Sequence, residues 1–236
     1  MDYAEFKKMI LTLKADIYRQ TVQENRDIIL IAKEPTIIRN LEKIFDATLE
    51  ISNEKGFQAM SMRDLAKGAG LSSGGLYAYF PGKTDLLRML QRHGRKVVQE
   101  ILFKLVNETP DHASKLRTAL KTHLYLSEYM QPWFYFSYME AKNLSKPERE
   151  NAIEGELATE KLFADIVQDG QDAGLFEPRN PQMTAAVIKS ILQDWYLKRW
   201  KFARRNVSVD QYADFIIEFV EVFLGVRETE TMRLEH

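Results

Sequence analysis

The 236 residues include no cysteine, which excludes disulfides, thiolate metal sites and cysteine nucleophiles and suits a reducing cytoplasm. Net charge is nearly missing too: 33 Lys and Arg face 34 Asp and Glu, so the whole-chain charge of −1 favours no partner and any basic footprint must be local. Long hydrophobic runs are absent. Stretches such as Ile28–Ala32 and Phe215–Val220 fall short of the roughly 20 apolar residues needed to cross a bilayer. Asp2 and Glu5 stand where a secretory signal would carry positive charge, so no membrane partner and a cytoplasmic location are expected. Neither a Gly-rich phosphate loop, a Ser/His/Asp arrangement nor an apolar pair of carboxylates is present, and His112 and His123 lack metal-ligand spacing. The expectation is a protein with no catalytic residues, no metal and no cofactor. Leu234-Glu235-His236 resembles the stub of a purification tag, so residues 232–236 are set apart from the fold.

What is present is helical periodicity broken by turn signals. From Thr36, the residues Ile37, Leu41, Ile44, Phe45, Thr48, Leu49 and Ile51 recur at three-to-four spacing, and Gly56 supplies a stop. Ser61-Met62-Arg63-Asp64 is close to a capping box and opens a short helix that Gly68 and Gly70 close. A second short helix holds Leu76, Tyr77 and Phe80, and Pro81-Gly82 precedes a long helix from about Thr84 to Glu108. Helices then follow from Asp111 through Tyr129, over the aromatic run WFYFSYM, from Pro147 toward Gly174, and from Asn180-Pro181 to about Phe202. Ser208 with Gln211 has capping-box spacing, and Gly225 ends the last helix. Ahead of all this, Phe6, Met9, Ile10, Leu13 and Ile17 predict an amphipathic helix over residues 3–20, with Glu34-Pro35 closing the leader. That apolar stripe points to docking against protein, since a lone helix of that length is marginal in water.

The informative segment is Gly56–Lys83, GFQAMSMRDLAKGAGLSSGGLYAYFPGK. It reads as helix, tight turn, helix, with Leu65, Ala66, Ala69, Leu71, Leu76 and Phe80 as a shared small core. Gly70 permits a positive φ at the turn. The second helix starts Ser72-Ser73-Gly74-Gly75, small enough to approach a major groove about 12 Å wide, and Tyr77 and Tyr79 are expected on its exposed side within reach of phosphates. Local charge agrees. Gly56–Lys96 holds seven basic residues against two acidic, whereas Leu144–Asn180 holds four against nine.

From about Ile37 to Leu87 the chain resembles the DNA-binding domain of the TetR family. The Gly-aromatic turn, Ser-x-Arg-Asp-Leu-Ala, Ala-Gly-Leu-Ser and Leu-Tyr-x-Tyr-Phe before Lys all stand at the family's spacing. The resemblance implies contacts to double-stranded operator DNA from Ser61, Arg63, Ser72, Ser73, Gly75, Tyr77, Tyr79 and Lys83. Gly74-Gly75 departs from the pattern by removing side chains that read bases, and the 35-residue leader is longer than the usual arm.

The rest of the chain is expected to bind a small effector and to dimerise. Tyr125, Tyr129, Trp133, Phe136, Phe163 and Trp195 are the candidate pocket residues, although aromatics at helical spacing are equally those of a plain core. Such a lining favours a hydrophobic effector. Met183, Val187, Phe215, Phe219 and Phe223 are candidates for a homodimer interface in which the last two long helices meet their symmetry mates. In the basic stretch Trp195–Arg205 the aromatics are expected to point inward. The expected architecture is all-α: a leader over 1–35, a three-helix head over 36–83 and a helical body over 84–231. The expected function is a repressor released from a palindromic operator when effector binding pivots the long helix. An activator, a ligand-independent regulator, and a helical enzyme or scaffold are the alternatives.

Overall fold

A computed structural model describes residues 1–227. Leu234–His236, read above as a tag stub, lie outside the described residues. Eleven α-helices and two short 3-10 turns make up the regular structure of the described residues, with no strand. The helices are α1 (Tyr3–Glu24), α2 (Glu34–Lys55), α3 (Met62–Gly68), α4 (Ser73–Tyr77), α5 (Lys83–Asn107), α6 (His112–Tyr129), α7 (Gln131–Glu140), α8 (Lys146–Asp172), α9 (Pro181–Leu197), α10 (Arg199–Arg204) and α11 (Val209–Leu224).

Most boundaries fall where the sequence places them, for identifiable reasons. Pro35 sits in the first turn of α2, and Gly56 ends it at φ 85°. Asp111 caps α6 by accepting from Ser114 N at 2.8 Å, and Asn180 caps α9 by accepting from Met183 N at 2.9 Å. At α11 the Ser208 hydroxyl accepts from Gln211 N and the Gln211 side chain accepts from Ser208 N, while Gly225 closes the helix at φ 56°. One helix differs from expectation. The run from Asn180 to Phe202 is interrupted at Lys198, where ψ turns to 37°, and α10 follows as a separate piece. Asp194 gathers both Lys198 and Lys201 at this break. Trp195, Tyr196 and Phe202 point inward as expected, but Trp200 is exposed.

The chain forms two compact units. The first takes Tyr3–Val97 with Pro132–Ala152, so it holds α1–α4, the start of α5, α7 and the start of α8. The second takes Val98–Gln131 with Ile153 onward. In the first unit α1 lies against α2, burying Phe6, Ile10, Ile17, Tyr18 and Val22. Each such side chain contributes on the order of 2 kcal/mol when fully buried, which is what holds a helix marginal in isolation. In the second unit α6 packs between α9 and α11, with Leu116, Leu120 and Leu124 meeting a core that includes Ile188, Leu192, Ala213, Ile216 and Val220.

Candidate nucleic-acid interface

The helix-turn-helix is built from two caps and one glycine. Ser61 accepts from Asp64 N at 3.1 Å, and the Asp64 carboxylate accepts from Ser61 N at 3.0 Å and from Lys55 Nζ at 3.2 Å. These bonds hold the Asp64 carboxyl down to about 2. Gly70 makes the turn at φ 69°. Leu65, Ala66, Ala69, Leu76 and Phe80 close over the small core, with Leu71 half-buried. Ser72 then caps α4 by accepting from Gly75 N at 3.0 Å. A Cβ on Gly75 would stand 3.1 Å from the Ser72 hydroxyl, so the missing side chain keeps the cap uncrowded.

The DNA candidates do not all share one surface. Ser61, Arg63, Ser72, Ser73 and Gly74 are exposed, Gly75 is half-buried, and Tyr77 is 50% exposed. Tyr79 corrects the expectation: it is 1% exposed, because it turns into the core after α4 has ended. Its hydroxyl accepts from Asn40 Nδ2 at 2.8 Å, tying the end of the recognition segment to α2. Lys83 donates to the carbonyls of Phe57 and Gln58 at 2.7 and 3.1 Å and lies 4.8 Å above the Phe57 ring. Its ammonium therefore binds the start of α5 to the turn before α3, and burial lowers its pKa.

The basic footprint is smaller than composition implies. Arg88, Arg92 and Arg95 all face Glu148, at 3.5, 3.1 and 3.8 Å, and Lys96 pairs with Glu24. Glu148 belongs to the acidic stretch, yet its fold neighbours are these cations. Sequence reasoning missed this pairing, and also the backbone bond from Leu30 N to Ala78 O at 2.9 Å that pins the leader beside the end of α4.

Two of the six effector candidates belong to one unit and four to the other. Trp133 and Phe136 belong to the first unit. The Trp133 indole donates to Leu90 O at 3.2 Å and lies so close over Gly94 that a Cβ there would be 1.9 Å away. Phe136 packs edge-on to Phe57 at 5.8 Å. Both pack against other residues of that unit. Tyr125, Tyr129, Phe163 and Trp195 lie in the second unit. There the Tyr125 hydroxyl donates to Asp210, and the Trp195 indole donates to Glu128 at 3.0 Å while stacking on Tyr212 at 5.0 Å. Tyr129 is half-buried and Phe163 fully buried.

Four of the five interface candidates line one groove, and Phe215 is exposed on α11. Met183, Val187, Phe215, Phe219 and Phe223 are exposed on α9 and α11, and the first two line, with Phe219 and Phe223, an apolar groove of about 290 Å³. Among the described residues no group of three or more His, Asp or Glu is placed to hold a metal, and no helix is long and apolar enough to cross a membrane.

A serine-capped helix of small residues, set by a glycine turn on a compact three-helix core, defines a helix-turn-helix DNA-binding module, here joined to a helical body. The model of bacterial regulatory proteins of the tetR family matches residues 44–90, and the tetracyclin repressor-like C-terminal domain matches residues 109–221. The repressor KstR of Rhodococcus jostii (strain RHA1) is 44% identical over 197 residues, covering 78% of this chain and 82% of that one. The chain belongs to the TetR family of DNA-binding transcriptional regulators. In fold it is similar to a tetR-family regulatory protein from Rhodococcus RHA1, with a TM-score of 0.72 at 20% identity over 80% of this chain and 98% of that one. It is also similar to AibR, solved with isovaleryl coenzyme A and operator DNA, with a TM-score of 0.68 at 17% identity over 80% and 100% of the chains.

Proposed function

We propose that the protein is a one-component repressor that holds a palindromic operator as a homodimer and lets go when a small hydrophobic effector enters its helical body. The observation that carries this reading is the exposed start of α4, where Ser72, Ser73 and Gly74 face solvent, Gly74 with open space around it, beside the half-exposed Tyr77. Short hydroxyls and backbone N–H groups at such an end meet phosphates and base edges. Ser61, Arg63, Ser72, Ser73, Gly75 and Tyr77 are the contacts proposed, and Lys83 serves through its remaining donor. The repressor KstR and the operator-bound AibR support the assignment by likeness.

The homodimer is proposed to form through α9 and α11, whose five exposed apolar residues otherwise face water. Effector binding then favours a dimer whose two heads no longer match half-sites about 34–36 Å apart. No catalytic step is part of this reading, and the place of action is the cytoplasm. The test is fluorescence anisotropy on duplexes from promoter DNA near the coding sequence, followed by titration with apolar acids and their coenzyme A thioesters. Binding that one of these compounds reverses is the expected result. Binding that no compound alters would move the protein to the ligand-independent class, and no specific binding would overturn the reading.

A further inference from the structure

The second unit buries a lysine. Lys189, on α9, is 4% exposed, and an ammonium out of water is stable only when well paired. Its Nζ lies 3.2 Å from Nε2 of His123 on α6 and 3.3 Å from Oε2 of Glu156 on α8. An ammonium carries three donors, and among the described residues these two groups take two of them. Burial lowers the pKa of both Lys189 and His123, while Glu156 and Glu160 draw Lys189 back toward its charged form.

The surroundings narrow what this lysine serves. The Phe163 ring lies 6.3 Å from that of His123, so the pair sits beside one of the aromatic candidates for an effector pocket. Other polar tips of aromatic residues in this unit are already engaged: Tyr125 with Asp210, Trp195 with Glu128, and Tyr212 with the Ile191 carbonyl. Lys189 by contrast keeps a donor, and the buried Thr122 hydroxyl, next to His123 in α6, has no hydrogen-bond partner among the described residues. Glu156 is about half exposed and is held on its other side by Gln193 at 3.1 Å. Its carboxylate therefore reaches in from the surface and has a solvated place to return to.

We propose that Lys189, with His123, anchors the carboxylate of an apolar acid, which exchanges with the carboxylate of Glu156. The exchange leaves the ammonium paired throughout. A neutral ester of the same acid offers no such replacement, so acids are preferred over esters. This names the class of effector for the proposed repressor and rests on that reading only for its regulatory consequence.

The experiment is calorimetric titration of the full chain with octanoate, oleate and cholate, each beside its methyl ester. At least one acid is expected to bind tenfold or more tightly than its ester. Lys189→Met should bring that acid and its ester to equal affinity, and Glu156→Gln should tighten the acid severalfold by removing the competing carboxylate. If every acid fails to bind, or esters bind the wild type equally, the anchor is wrong. It is equally wrong if Lys189→Met, folded by circular dichroism, keeps the preference. Should that variant not fold, unchanged acid affinity in Glu156→Gln overturns the proposal by itself. Operator release by esters and acids alike would remove the anchor and leave the repressor standing. Acid binding with unaltered operator affinity would do the reverse.

Discussion

Tyr77 and Tyr79 stand two residues apart and have opposite surroundings. The Tyr77 ring is half exposed on α4, whereas Tyr79 is buried with its hydroxyl bonded to Asn40. Tyr77→Phe should leave the melting temperature unchanged and weaken operator binding about fivefold, the worth of one hydrogen bond of about 1 kcal/mol. Tyr79→Phe should do the opposite, lowering stability by about 1 kcal/mol and the melting temperature by roughly 2–4 °C. Parallel melting curves and operator titrations check the pair, and a melting loss in Tyr77→Phe would reverse the assignment. The sequence could not separate them, because α4 ends at Tyr77 and the helical face used to place Tyr79 does not continue. Gly70, Ser61 and Ser72 were legible for the contrary reason: caps and positive-φ turns are local, and their partners lie within three residues.

His93 lies buried in the first unit. It is buried between the Tyr18 and Phe45 rings, with Thr21 at 2.8 Å from Nδ1. Burial first, and then the cations Lys96 and Lys14, hold its pKa down to about 4. Between about 4 and the ordinary 6.5, the unfolded chain binds a proton that the folded chain refuses, so stability rises with pH through this window and is lost below it. Urea unfolding should show a drop on the order of 2 kcal/mol from pH 7 to pH 5. His93→Gln should flatten part of that limb, while the buried His123 contributes the same sign. An unchanged limb in His93→Gln would show that His93 does not carry it.

Among the elements, α1 tests most cleanly whether sequence pattern finds a docked helix. The stripe from Phe6 to Ile17 predicted docking on protein. In the structure α1 packs on α2, with Lys14 paired to Glu42 and Lys96 to Glu24. Its stop was placed one turn early, since Tyr18, Thr21 and Val22 continue the buried face without any breaker before Asn25. Deleting residues 1–33 should lower the melting temperature by several degrees and expose Phe45 and His93, with a smaller effect on operator affinity at matched salt. Unchanged melting with operator binding lost would make the leader a DNA arm. Elements defined by long-range partners were less legible. The break between α9 and α10 has no glycine or proline to announce it. Nothing in the local sequence assigns Glu148 to Arg88, Arg92 and Arg95, which lie more than 50 residues away.

At the scale of the molecule, periodicity made the all-helical class readable, and one dense motif carried the family. The allocation of α7 to the first unit was not readable, because the packing of Trp133 over Gly94 and of Phe136 against Phe57 joins residues far apart in the chain. The proposed dimer rests on the face of α9 and α11. Phe219→Asp should shift light scattering from dimer toward monomer or aggregate, since a charge enters an apolar contact. A monomeric wild type at micromolar concentration would refute the interface.

The head of this chain, presented twice by a dimer, is proposed to read a symmetric operator. Selection from a random duplex library with the full protein, followed by salt-titrated binding of the winning sequence, tests it directly. The expected result is an inverted repeat whose half-sites lie about one helical turn apart, with log affinity falling linearly in log salt. Enrichment of no sequence, or of a single asymmetric site bound equally by a Tyr77→Ala variant, would contradict it.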